Sequence, residues 1–211
     1  MRPVSQSANS DWDIDGITRE LLDAERALRD IGPAVSMFGS SRVGSDDPLA
    51  HLAFQLARDL SAAGFAIITG GGPGLMEAFN RGAQAGGSPS VGLGIRLPSE
   101  LGPNPHIDAY LRFERFFTRK AVFVRYSSAF VVLPGGWGTL DELFEVLCLM
   151  STQKVAVPPV ALVGDGYWDT LVQWLKEAPA RHGMIDPAQL SMLRRVHSVD
   201  DIITLVREHE G

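Results

Sequence analysis

Short apolar runs alternate along this chain with longer stretches in which apolar positions return every three or four residues. Ala34-Val35-Ser36-Met37-Phe38, Phe65-Ala66-Ile67-Ile68-Thr69, Ser90 to Ile95, residues 129–133 and Val160-Ala161-Leu162-Val163 are of the first kind. They carry no charge and are bounded by glycine, proline or polar residues, as expected of strands buried on both faces. Tyr110 to Phe113 reads as a further short strand. Ile17, Leu21, Ala24, Leu28 and Ile31 mark one face of a helix over 16–31, ended by Gly32-Pro33. Leu49, Leu52, Ala53, Leu56 and Leu60 mark another over 48–63, stopped by Gly64. Further helices are predicted over 74–85, 115–126, 167–177 and 199–208, and from the glycine-rich stretch after residue 133 to about residue 151.

Strands that alternate with helices imply a parallel sheet covered on both faces. Right-handed crossovers make it an α/β domain of the doubly wound, Rossmann-like kind, a single domain over 16–211 behind a flexible tail of residues 1–15. In such sheets ligands bind beyond the carboxyl ends of the strands, where the strand order reverses. Three glycine-bearing loops, 39–44, 70–74 and 134–138, leave strands at that edge.

The stretch from Val131 to Glu142 is the most informative. It reads as a buried strand, the loop Pro134-Gly135-Gly136-Trp137-Gly138 and the first turn of a helix, with Asp141 and Glu142 alongside. Such a junction aims several backbone N–H groups and a positive helix end at one spot, so it favours phosphate. Thr139-x-x-Glu142 also reads as a capping box, in which Thr139 caps the helix and Glu142 reaches back. The glycines before it exceed what a helix start requires. The loop Gly70-Gly71-Gly72-Pro73-Gly74 is suited to phosphate or ribose, or to a tight turn into a close-packed helix. It lacks the third glycine of G-x-G-x-x-G, no acidic residue closes the following strand, and no G-K-[ST] occurs, so NAD chemistry and a P-loop are disfavoured. Arg112, Arg115 and Arg119 share a face if their helix begins early, with Lys120 alongside and Phe113, Phe116, Phe117 and Phe123 crowding them. A partly buried arginine needs a carboxylate or a substrate anion.

Composition changes this picture only by exclusion. A formal charge of −6 over 211 residues argues against a general nucleic-acid binder. Cys148, the one cysteine, allows no internal disulfide and reads as core packing, as do Trp168 and Trp174. The histidines are scattered without ligand spacing, so no metal is expected. No apolar run approaches the roughly 18 residues of a membrane span, and the polar opening MRPVSQSANSDWDIDG has no signal-peptide core, so a soluble cytoplasmic protein is expected.

Pro134 to Glu142 resembles the PGGxGTxxE signature of the Lonely Guy (LOG) family, the cytokinin riboside 5′-monophosphate phosphoribohydrolases, often labelled lysine decarboxylases. Arg119-Lys120 is similar to the RK pair ahead of that signature. Gly70 to Ala78 resembles its glycine-rich segment, and Phe38-Gly39-Ser40-Ser41 its first loop. The resemblance runs from about residue 34 to 208, and the loop from Leu97 to Phe117 is similar to the longer-loop bacterial branch. It implies hydrolysis of the N-glycosidic bond of a nucleoside 5′-monophosphate, to free base and ribose 5-phosphate, without a cofactor. Arg119 and Glu142 would be the essential pair, and Gly135, Gly136, Gly138 and Thr139 would hold phosphate. Lys120 and Asp141 would line the pocket, with Gly39, Ser40, Gly71, Gly72, Glu100 and Trp137 completing the substrate-binding set. A homodimer, or a higher homo-oligomer, is implied, with no nucleic-acid or membrane partner. Cys148 stands where many relatives carry threonine, and Trp137 where tyrosine or phenylalanine is usual, which leaves the base open between prenylated adenine and an ordinary one. The competing reading is a non-catalytic nucleotide or cofactor carrier. Lysine decarboxylation would need pyridoxal phosphate on a lysine, and the sequence offers no convincing setting for one.

Overall fold

A computed structural model describes residues 13–98, 102–152, 158–164 and 166–210. In chain order it comprises α1 (Ile14–Leu28), β1 (Ala34–Phe38), α2 (Pro48–Ala62), β2 (Ala66–Thr69), α3 (Leu75–Gly86), β3 (Ser90–Ile95) and β4 (Ala109–Phe113). There follow α4 (Phe116–Tyr126), β5 (Ala129–Val132), α5 (Trp137–Thr152), β6 (Val160–Leu162), α6 (Asp169–Leu175), β7 (Leu193–Arg195) and α7 (Val199–Glu210).

The strands form one seven-stranded sheet in the order β4-β3-β2-β1-β5-β6-β7, every pair parallel. This is the α/β, Rossmann-like, doubly wound architecture expected from the pattern. The central strands β1, β2, β5 and β6 feed their residues alternately to two cores. Val35 and Met37 of β1 meet α2, α3 and α7 on one face, while Ala34 and Phe38 meet α1, α4 and α5 on the other. Phe38 lies edge-on to Phe123 of α4 at 5.1 Å and stacks on Phe130 of β5 at 5.9 Å. The strand order reverses between β1 and β5, whose last residues Phe38 and Val132 are register partners. Their following loops therefore diverge from one level and open a crevice.

Several local expectations are corrected. α1 starts at Ile14, because Asp13 caps it by accepting from the Gly16 amide at 2.8 Å. Residues 13–15 are thus outside the expected tail, and residues 1–12 lie outside the described residues. Leu21 is exposed, since α1 buries only Ala24 and Leu28 fully. The helix expected over 167–177 is α6 followed by a π-helical turn at Lys176–Ala180, where Pro179 has no N–H to continue the α ladder. Trp168 is buried as expected, but Trp174 faces solvent, and so does Cys148. Among the described residues, no helix is long and apolar enough to cross a membrane.

Candidate active site

Two backbone hydrogen bonds stitch the three glycine loops into one frame. Ser40 N–H donates to Pro134 O at 3.0 Å, and Leu75 N–H donates to Ser40 O at 2.9 Å. The crevice at the reversal point thus has walls fixed by main chain.

α5 begins at Trp137, ahead of Thr139. Its first intrahelical bond runs from Leu140 N–H to Gly136 O at 3.0 Å, so the N–H groups of Trp137, Gly138 and Thr139 precede the ladder at the open end. Thr139 is therefore not the cap, and the expected capping box is not formed. Its side chain is instead buried against Gly135, where a Cβ would lie 2.0 Å from Thr139 Oγ1. Gly136 and Gly138 differ from Gly135: a Cβ on either would meet nothing within 4 Å, and neither has a positive φ. Among the described residues nothing crowds these two positions, so the surface beside the free amides is open.

Arg119 reaches the crevice from α4. Its Nε donates to the carbonyl of Leu93 at the end of β3 (2.7 Å), and its Nη1 stands 3.5 Å from Glu142 Oε1. Its guanidinium carbon lies 5.2 Å from the centre of the Phe123 ring. A Cβ on Gly70 would approach Arg119 Nη2 to 2.5 Å, so the loop after β2 is bare where the guanidinium passes. Burial lowers the pKa of Arg119 and pushes the carboxyl of Glu142 up to about 7, with Arg119 first and then Lys120 pulling the latter back. Desolvation prevails over the attraction because the guanidinium divides its donors between a carbonyl and a carboxylate at a loose 3.5 Å. A buried carboxyl poised near neutrality beside a fixed cation is suited to proton transfer and to stabilising positive charge.

A family model described as "Possible lysine decarboxylase" matches residues 76–206, more than half of the chain. A probable cytokinin riboside 5′-monophosphate phosphoribohydrolase of Oryza sativa subsp. japonica is 31% identical over 181 residues, covering 83% of this chain and 72% of the relative. The chain belongs to the LOG family. A cytokinin riboside 5′-monophosphate phosphoribohydrolase of Arabidopsis thaliana is 27% identical over 181 residues, covering 83% of each chain. The fold is also that of a molybdenum cofactor binding protein from Rippkaea orientalis, with a TM-score of 0.64 at 22% identity, covering 85% of this chain and 98% of that one.

Of the residues singled out in this LOG protein, Arg119, Glu142, Gly70 and the glycines of 134–138 converge on the crevice, and Gly39 and Ser40 form its stitched wall. The three-arginine cluster does not form. Arg112 belongs to β4 and Arg115 precedes α4, so neither shares a helical face with Arg119. Lys120 is paired with Asp141 at 2.8 Å and Glu145 at 3.3 Å, fastening α4 to α5. Trp137 stands 89% exposed. Glu100 lies outside the described residues.

Two residues were missed. Tyr110 of β4 packs where Gly71, Gly92 and Gly94 are bare. Asn104, nearly buried, donates its side-chain amide to Gly72 O and Asn80 Oδ1, both at 3.0 Å, and its N–H to Gly71 O at 2.9 Å. Asn80 is itself fully buried and bonded to Ser90 and Thr69, so the 70–74 loop hangs from a polar network in the core. The only signal for Asn104 was an asparagine in a proline-rich loop.

Proposed function

We propose that this LOG protein hydrolyses the N-glycosidic bond of a nucleoside 5′-monophosphate, releasing free base and ribose 5-phosphate. The observation that carries the reading is the buried Arg119–Glu142 pair beside an amide-rich helix end. The names of its relatives support the same substrate class, cytokinin riboside 5′-monophosphate, and AMP carries the same phosphate and ribose. In this reading the amides of Gly136 to Thr139 hold the 5′-phosphate, which fixes the sugar without touching the bond that breaks. The bond from C1′ to the base nitrogen lengthens and the base departs with the electron pair. Positive charge on the ribosyl centre is balanced by the Glu142 carboxylate, which takes a proton from the water whose oxygen bonds to C1′; the departed base nitrogen takes up one proton from solvent and Glu142 returns its own to solvent, which restores the carboxylate. Arg119 holds the substrate anion and Glu142 in register.

The protein acts as a homodimer in this reading. Trp137 (89% exposed), Phe116 (52%) and Phe144 (40%) lie on α4 and α5, which Lys120 joins, and large apolar side chains so exposed are suited to a second copy.

The test is a panel of nucleoside monophosphates and their unphosphorylated nucleosides, scored by chromatography. Base released from AMP or its N6-prenylated form, but not from the nucleosides, supports the reading. Stoichiometric nucleotide binding without released base refutes it in favour of a carrier.

A further inference from the structure

We propose that Glu20, on the N-terminal helix, is a positioning residue for the reaction: it ties down the start of α4 from outside and thereby fixes where Arg119 meets Glu142. The inference rests on the hydrolytic reading for its kinetic consequence, but not for its structural one.

α4 has no cap of its own. Its flanking residue Arg115 makes no side-chain capping bond, and its first turn contains no acidic residue. The missing carboxylate comes from far away in the chain. Glu20 Oε1 accepts from the Glu114 amide at 2.9 Å and from Arg115 Nη1 at 2.9 Å, and Oε2 accepts the hydroxyl of Thr118. Asp13 holds Arg115 Nη2 at 2.7 Å, so Arg115 is clamped between two points on α1. The side chain of Glu20 is only 11% exposed. The amide it accepts from, that of Glu114, lies just ahead of the helix, so Glu20 ties the entering chain, the Arg115 fork and the Thr118 hydroxyl together, with its negative charge beside the positive end of α4.

Apolar packing does not do this job here. A cavity of about 320 Å³ lies between α1 and the β4–α4 junction, lined by Asp13, Arg19, Glu20, Asp23, Glu114 and Arg115 among others. Phe116 and Phe117 are about half exposed, and the fully buried apolar residues of α4 begin at Val122. Polar ties therefore set the tilt of the first turn, and Arg119 hangs from that turn, its N–H donating to Arg115 O at 3.3 Å. With the ties cut, the guanidinium moves relative to Glu142. The charged groups around Glu142 are Arg119 and Lys120 from α4 and Asp141 and Glu145 from α5 itself; Tyr110 acts on Arg119 from β4. Lys120 is held by α5, whereas Arg119, whose Nε is anchored on Leu93 O of β3, takes its main-chain position from the clamped turn.

The full chain is compared as parent, Glu20→Ala, Glu20→Gln and Thr118→Val. Asp23→Ala serves as the control, an exposed α1 residue whose ion-pair partner is Arg26. Each is labelled with ¹³C at the glutamate carboxyls and titrated by NMR without nucleotide, the Glu142 signal being identified by its loss in Glu142→Gln. kcat and KM are measured on the best monophosphate. Glu20→Ala is expected to lower kcat about 10²-fold with KM near the parent's, since a small displacement of a reacting group costs that much. Its Glu142 midpoint rises above the parent's, because Arg119 no longer pulls it down. Glu20→Gln, which keeps an accepting oxygen, falls between, and Asp23→Ala matches the parent. Thr118→Val decides the matter if the Glu20 variants do not fold, with a smaller loss and a smaller rise. Folded Glu20→Gln and Thr118→Val with parental kcat and an unmoved midpoint overturn the proposal. A parent that releases no base refutes the hydrolytic reading alone, and the midpoint then decides the positioning by itself.

Discussion

Replacing Glu142 by glutamine separates the two consequences of burying a carboxylate. The folded protein holds this carboxyl at about 7 against an ordinary value of 4.5. Between those values the folded state keeps a proton that the unfolded chain has lost, so stability falls as pH rises through the window. At about 1.4 kcal/mol per pH unit the deficit reaches about 3 kcal/mol once both states are ionised. Glutamine matches the protonated carboxyl in size and does not titrate. The variant's stability relative to the parent should therefore be near zero below pH 4.5 and grow to about 3 kcal/mol above pH 8. For a chain of this length that is a gain of about 6–12 °C in Tm at the alkaline end. Thermal unfolding in phosphate-free buffer from pH 4.5 to 8.5 measures it, and other titrating groups cancel in the difference. Base release from AMP should meanwhile fall about 10²- to 10⁴-fold, the usual worth of a positioned acid or base. A relative stability that declines with pH would mean that the attraction of Arg119 outweighs burial, and would refute the reasoning at its root.

Four further outcomes are expected. The parent's kcat/KM should rise with pH through about 7, because the ionised form of Glu142 is the working one; a limb descending through that pH would make it the acid instead. Arg119→Lys, whose single ammonium cannot serve both Leu93 O and Glu142, should lose about 10²-fold or more in kcat/KM, and NMR should find the Glu142 midpoint above the parent's. Gly138→Ala should leave thermal stability unchanged or raise it by up to about 1 kcal/mol, as alanine does within a helix, while the added methyl, crowding the proposed phosphate seat, raises the nucleotide KM about tenfold or more. Phe144→Glu should convert the dimer proposed above to monomer in sedimentation, and a dimer that persists would remove α5 from the proposed interface.

What the sequence revealed, and what it hid, follow from how many residues carry each signal. β1, β2, β3 and β5 are buried along their whole length, so their apolar runs are unmistakable. β7 is three residues at the sheet's edge, Leu193-Arg194-Arg195, with one apolar side chain and a single neighbour. Nothing in so short and charged a segment could announce a strand. Arg119 and Glu142 were legible because a glycine loop and an arginine among phenylalanines both imply an anion. The fate of Arg115 was not, since its partners Asp13 and Glu20 come from the other end of the chain. Thr139 misled because serine or threonine three positions before glutamate marks many helix starts, whereas here the glycines had already begun the helix. Cys148 and Trp174 lie on helices whose apolar stripes are wider than the surface the rest of the chain covers.

The stitch from Ser40 to Pro134 and from Leu75 to Ser40 uses main-chain atoms only. Side chains bordering the cleft can therefore be exchanged without altering its gauge. On the hydrolytic reading, drift in sequence would retune which base is accepted while the grip on the phosphoribosyl end stays put, and selection for new substrates in this scaffold should find its productive changes on the rim, not in the seam.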